Sequence, residues 1–222
     1  MAETVLPQDP LVGAISEYTT GLLTPELIDA TWQTVWNSWG NSLEGHRFEV
    51  PSCDRSALEL EELKQQGRHV LLVPDEVMTP EGLVLLGKLI PHKSAPNGIL
   101  WGESAIREIT NYDNRGGTID VEMRDNPNPN LTEAELKRLF DEQGRTGQRL
   151  STYIIGSLFS RLLTGKPFDS NFRSSRLLGS SYDNHGIGAV CAVDGTIVIV
   201  PNLYGGIARP YINGRSEGRK AA

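Results

Sequence analysis

The sequence predicts a mixed α+β fold, and three observations support this class. Helix start signals recur within residues 1–150, typically a Ser or Thr N-cap followed by an acidic residue in the first turn. Residues 118–123 alternate apolar and acidic side chains, which is the pattern of a half-buried strand. The last quarter has the composition of strands and turns, and Asp194-Gly195 between two apolar runs is a two-residue hairpin signal.

The N-terminal part of the chain is predicted to combine helices with short strands. Pro7 and Pro10 are expected to interrupt any element within residues 1–20. Thr24-Pro25-Glu26 combines an N-cap, a first-turn proline and a first-turn acid, and predicts a helix to about Trp39. Beyond Gly45 the predicted order is strand, helix, strand and helix, at residues 47–50, 56–66, 69–73 and 79–91.

The remaining predicted elements are two helices and several strands. Thr132 and Glu135 form a capping box for a helix that Gly144 ends, after the strand at residues 118–123. A second helix follows and is ended by Gly165. The two helices and the strands after them are predicted at residues 132–143, 151–163, 177–178, 188–193 and 196–200.

Composition excludes several classes of protein. The chain has 222 residues with 38% hydrophobic content, which suits a soluble domain with or without an appendage. It has no run of about 20 apolar residues, so we expect no membrane insertion. Its first residues do not have the basic segment followed by an apolar segment that a signal peptide needs, so we expect no Sec-type export. A cytoplasmic, virion-associated or non-Sec exported location is therefore expected. The spacing of Cys, His and Gly residues indicates no metal or nucleotide cofactor.

Charge and residue types are distributed unevenly along the chain. Residues 1–150 hold 24 acidic and 13 basic side chains, whereas residues 151–222 hold 4 and 8. This short basic region in an acidic chain makes only a weak case for nucleic acid binding. Residues 167–216 contain no Lys, Gln, Glu, Met or Trp, although a window of this length should hold about ten of them. Strands and turns disfavour Glu, Lys and Gln, which accounts for part of this deficit.

Motifs in order from Asn128 resemble the C-type-lectin-like fold shared by formylglycine-generating enzymes and the variable proteins of diversity-generating retroelements. The motifs are Asn128-Pro129-Asn130, Thr146-Gly147-Gln148-Arg149-Leu150, Arg176-Leu177-Leu178-Gly179-Ser180-Ser181-Tyr182 and Asn213-Gly214-Arg215. The chain departs from the enzyme branch because Cys191 has no second cysteine near it and the acidic and Trp residues of the enzyme motif are missing after Thr152. The resemblance therefore favours the variable-protein branch.

In that branch, as the resemblance implies, template adenines in AAC or AAT codons are copied to any base. Codons that keep a third-position pyrimidine cannot encode Lys, Gln, Glu, Met or Trp, the five types absent from residues 167–216.

We expect an N-terminal helical segment at residues 1–45, followed by the C-type-lectin-like domain of the resemblance at residues 46–222. Its variable region, about residues 176–216, would bind a protein or surface-glycan ligand without catalysis. A mixture of Tyr with short polar residues is also typical of antibody paratopes. The candidate ligand-binding residues are Tyr182, Asp183, Asn184, His185, Ile187, Cys191, Asn202, Leu203, Tyr204, Arg209 and Tyr211.

Two alternatives belong to other functional classes. The first is an enzyme of the formylglycine-generating or a hydrolytic class that would use Cys191, His185 and Asp183. The second is a structural or assembly protein whose partner surface would be the helix that carries Trp32, Trp36 and Trp39. The sequence does not indicate the oligomeric state.

Overall fold

The computed structural model describes residues 9–90, 106–170, 173–191, 197–201 and 206–220. The helices are α1 (Pro10–Thr20), α2 (Pro25–Ser42), α3 (Ala57–Gln65), α4 (Pro80–Gly87), α5 (Glu133–Glu142) and α6 (Leu150–Thr164). The strands are β1 (Arg68–Val73), β2 (Thr110–Asn111), β3 (Gly117–Glu122), β4 (Thr146–Gly147), β5 (Ser174–Tyr182), β6 (His185–Cys191), β7 (Ile197–Pro201), β8 (Ile212–Gly214) and β9 (Ser216–Gly218). A 3₁₀ turn at Asp75–Met78 precedes α4. The fold is mixed α+β, as predicted.

Most helices begin and end where local signals place them. The capping boxes of α3 and α5 are complete, with Ser56–Glu59 and Thr132–Glu135 bonded in both directions. Gly165 ends α6 with φ 76°. The expectation of an interrupted N-terminus is wrong for α1, because Asp9 caps this helix and Pro10 occupies its first position, where no N–H bond is needed.

Two sheets organise the chain. The first has the order β1-β3-β9-β4 and all its pairs are antiparallel. The second has the order β2-β5-β6-β7, and β8 lies parallel to the start of β5. Residues 47–50, predicted as a strand, are not part of either sheet among the described residues. No described helix is long and apolar enough to cross a membrane.

Strand β3 differs from its prediction in burial. The alternating pattern predicts a half-buried strand with Asp120 and Glu122 in solvent, but both acids are only 3% exposed. Arg145 pairs with Asp120, and the backbone N–H and hydroxyl of Ser216 on β9 donate to the Glu122 carboxylate. Because these partners lie far along the chain, the period-two pattern does not reveal them.

Helix α2 covers the edge of the first sheet. The indole N–H groups of Trp32 and Trp36 donate to the carbonyls of Val70 and Leu72 on β1, at 2.9 and 2.7 Å. Four residues rise about 6 Å along a helix and two residues about 7 Å along a strand, so the spacings match. These bonds satisfy carbonyls that an edge strand would otherwise expose. The Trp face is therefore internal, and the assembly alternative loses its proposed partner surface.

The N-terminal helices share one hydrophobic core with the rest of the fold. Trp32 packs on Phe159 of α6 with ring centroids 4.5 Å apart, and Tyr18 of α1 meets the same ring at 5.2 Å. The same buried cluster extends through β1, β3 and the second sheet. The boundary predicted near Gly45 therefore does not coincide with a gap in the core.

Candidate functional site

Four of the predicted binding residues lie at the tip of the β5–β6 hairpin. Asp183 and Asn184 form its two-residue turn, both with left-handed backbone, at φ 47° and 59°. Asp183, Asn184 and His185 are exposed, and Tyr182 is half-buried against the core. The negative charge of Glu108 raises the pKa of Tyr182. The tip thus presents one aromatic and three short polar side chains on a paired hairpin.

A second exposed segment precedes β8. Arg209 is exposed and Tyr211 is 44% exposed, beside Ile207 at 49%. The Arg176 guanidinium of β5 donates to the carbonyls of Ile207 and Leu131, each at 2.5 Å. Arg176 therefore connects this segment, and the residues just before α5, to the second sheet through hydrogen bonds.

The other predicted residues are placed differently. Ile187 is 2% exposed and pairs with Leu177 on the inner face of the second sheet, so its side chain belongs to the core and not to a binding surface. Cys191 ends β6, and its side chain lies outside the described part of the chain. Asn202, Leu203 and Tyr204 also lie outside the described residues.

A buried carboxylate holds the two ends of the predicted variable region together. Asp169, fully buried, accepts hydrogen bonds from Tyr153, Ser175, Asn213 and Arg215 at 2.7 to 3.0 Å. Burial alone would raise its pKa, but the Arg215 charge and the hydrogen bonds lower it below its ordinary value. Because Ser175 directly precedes this region and Asn213 lies near its end, Asp169 joins both ends of the region to Tyr153 of α6.

Two further buried ion pairs lie beside the closing strand β9. Arg149 Nε lies 2.5 Å from Glu217 Oε1, and the same carboxylate accepts from the Arg149 backbone N–H. Glu217 thereby places a negative charge at the start of α6, where the helix dipole favours one. Arg145 pairs with Asp120 and also donates to the Ser216 hydroxyl at 2.7 Å. Removing one partner of such a buried pair leaves the other charge uncompensated.

Nothing in the sequence around Asp169 or Glu217 predicts that these acids are buried. Asp169 follows a lysine and a proline in an ordinary turn sequence, and Glu217 is one acid near a basic terminus. Their arginine partners Arg149 and Arg215 do stand in motifs that carry the family resemblance, Thr146-Gly147-Gln148-Arg149-Leu150 and Asn213-Gly214-Arg215.

No protein-family model matches this chain. No curated protein and no solved structure matches it either. The function is therefore argued from the residues and their arrangement.

The distance between His185 and Cys191 argues against the enzymatic alternative that would use both residues. His185 is the first residue of β6 and Cys191 is the last, so their backbones are about 20 Å apart. A general base must lie within hydrogen-bond reach of its nucleophile, directly or through one water. His185 and Cys191 therefore cannot act as a catalytic pair. Among the described residues, no group of three His, Cys, Asp or Glu side chains is placed to hold a metal ion.

Proposed function

We propose that this chain is a non-enzymatic ligand-binding protein, receptor-like or adhesin-like, with a C-type-lectin-like domain. A retroelement diversifies its C-terminal region, so that binding specificity varies while the scaffold stays constant. The observation that carries the proposal is the absence of Lys, Gln, Glu, Met and Trp from residues 167–216. These are the residue types that adenine mutagenesis of AAC and AAT codons cannot produce.

The separation of exposed from buried side chains supports this proposal. Within the window, the hairpin tip and residues 207–211 are mostly exposed, whereas Asp169, Ser175 and Arg215 are buried and bonded to one another. A diversified site needs side chains that vary without disturbing the backbone that presents them. Here the exposed segments stand on a hairpin and a bonded network that other residues hold in place.

The topology supports the lectin-like part of the proposal. From β3 onward the order is a strand, two helices with the two-residue strand β4 between them, strands β5 to β8, and the closing strand β9. The closing strand β9 pairs with β3, so the first and last strands of this region lie side by side. The helix, helix, strand and closing-turn order is that of the motifs which resemble the family.

Asn213 places a boundary on the diversified stretch. Both asparagine codons begin with two adenines, so an asparagine encoded in a diversified stretch would itself be a target. Asn213 is fully buried and donates to Asp169 at 2.8 Å. Since its replacement would break the buried network, the diversified stretch should end before Ile212.

The genome tests the proposal directly. We expect a reverse transcriptase gene near this gene, with a near-copy of the roughly 150 nucleotides that encode residues 167–216. The gene and the copy should differ only at positions where the copy has an adenine. A genomic neighbourhood with no reverse transcriptase and no such copy would refute diversification.

A matched pair of libraries tests the scaffold at the protein level. One library places adenine-derived codons at Asp183, His185 and Arg209, and the other places them at Ser175, Ser180 and Ser181. The first set is exposed and the second is buried. We expect most members of the first library, and few of the second, to resist proteolysis when displayed. Equal resistance would contradict the proposed division between surface and scaffold.

A further inference from the structure

A cleft of about 550 Å³ opens where the two sheets meet. Gly147 of β4, Gly179 of β5 and Gly218 of β9 line it. Its walls carry the guanidinium groups of Arg115, Arg149 and Arg219, together with the carboxylates Asp113 and Glu217. The volume is within the range of small-molecule sites.

Positive charge exceeds negative charge at this cluster. Asp113 is engaged by Arg115, whose Nε and Nη2 lie 3.1 Å from its two oxygens, and this bond lowers the pKa of Asp113 to about 2. Glu217 is engaged by Arg149. Arg219 is 3.7 Å from Asp113, a carboxylate that Arg115 already occupies. Three arginines thus share two carboxylates.

The pKa of Arg219 is lowered, and burial is the largest cause. The neighbouring Arg149 and Arg115 charges lower it as well, whereas Asp113 and Glu217 oppose the shift. An anion placed among the three guanidinium groups would relieve their mutual repulsion.

A second, independent observation concerns hydrogen bonding. The Arg149 side chain is 3% exposed, and its Nη2 has no hydrogen-bond partner among the described residues. Its Nε and Nη1 are bonded to Glu217 and to the carbonyls of Asp113 and Arg115. Burying a guanidinium N–H without a hydrogen-bond acceptor costs free energy. The described residues supply no acceptor for this N–H group of Arg149.

We propose that this cleft binds a small ligand through an oxyanion group, a phosphate, sulfate or carboxylate. The oxyanion accepts from the guanidinium group of Arg149 and from those of Arg115 and Arg219, whose side chains are 79% and 30% exposed. Guanidinium groups donate to such anions through paired, charge-assisted bonds. The inference does not depend on retroelement diversification, because Arg115, Arg149 and Arg219 lie outside residues 167–216.

Isothermal titration of the full chain with inorganic phosphate, at constant ionic strength set by chloride, tests the proposal. The variant is R115A/R219A, which leaves the buried Arg149–Glu217 pair in place. The matched control is R138A, which removes an exposed arginine of α5 that does not line the cleft and lies 3.8 Å from Glu142. Separate titrations with phenyl phosphate and acetate distinguish an organic phosphate from a carboxylate ligand.

We expect saturable phosphate or acetate binding with Kd below about 1 mM, at least about tenfold weaker in R115A/R219A and within about twofold of wild type in R138A. As a measurement that needs no variant, the side-chain Nε–H resonance of Arg149 should shift on titration while that of Arg138 does not. Absence of saturable binding by all three anions, or equal affinity in R115A/R219A and wild type, would overturn the proposal.

Discussion

Replacing Asp169 by Asn tests the buried network that supports the predicted binding surface. The carboxylate oxygens accept from Arg215 and Asn213 on one side and from Tyr153 and Ser175 on the other. In D169N the two hydroxyls can turn to accept from the new amide, so most hydrogen bonds survive. The buried Arg215 charge then has no counter-ion, and breaking such a pair costs about 3–5 kcal/mol. We expect a loss near 3 kcal/mol.

Asp183→Asn is the matched control. Asp169 and Asp183 both have left-handed backbone, at φ 56° and 47°, which Asn tolerates as well as Asp does. Because Asp183 is exposed at the hairpin tip, D183N should change stability by less than about 0.5 kcal/mol. Urea unfolding at pH 7, followed by fluorescence of the buried tryptophans, measures both variants. A D169N loss below about 1 kcal/mol, or equal losses in the two variants, would refute the reasoning.

Three further changes have defined outcomes. Burial lowers the pKa of His69 to about 4, so the unfolded chain takes up a proton first as pH falls. From pH 7 to 5, wild type should therefore lose about 2 kcal/mol more than H69Q in urea unfolding. Trp32→Phe leaves a buried β1 carbonyl without its donor and should cost about 1–3 kcal/mol by the same assay; an unchanged midpoint would contradict the edge-covering role of α2. A Cβ at Gly147 would lie 2.4 Å from Leu178 Cβ, whereas one at Gly13 in α1 meets nothing within 4 Å. G147A should lower the free energy of unfolding by about 3 kcal/mol, and the melting temperature should fall with it. G13A should raise the free energy of unfolding by about 0.5–1 kcal/mol. Melting-temperature shifts of the same sign in the two variants would refute this contrast.

Local signals were sufficient for most helices of the fold. The capping boxes at Ser56 and Thr132, and the stop at Gly165, act within one turn of chain and are visible in sequence. Pro10 by itself predicts an interruption, whereas together with its neighbour Asp9 as N-cap it starts a helix. At the first position of a helix, proline supports the element that it would disrupt further in.

Burial of charge could not be predicted locally. The alternation at β3 correctly indicates a strand, but it places Asp120 and Glu122 in solvent, whereas partners from positions 145 and 215–217 cover them. The tryptophans of α2 have helical spacing in sequence, yet their indole bonds to β1 depend on a sheet edge far along the chain. Such pairings arise only in the assembled fold.

The candidate site was predictable in part. Asp183, Asn184 and His185 are exposed, as a polar turn between apolar segments suggests. Ile187 lies two residues after His185 on β6, and its side chain is on the face of the strand that packs against the core. The sequence alone does not specify which face of this strand is buried. The cleft around Arg149 joins segments from positions 112 to 220, so no single stretch of sequence marks it.

The most direct test of the account is deep sequencing of the codons for residues 167–216 across a population that carries this gene. The account predicts substitutions at the exposed positions Asp183, Asn184 and His185, at adenine-derived bases, with none at the buried Asp169 and Arg215. An invariant window, or substitutions spread equally over buried and exposed positions, would contradict the claim that this region is a diversified binding surface.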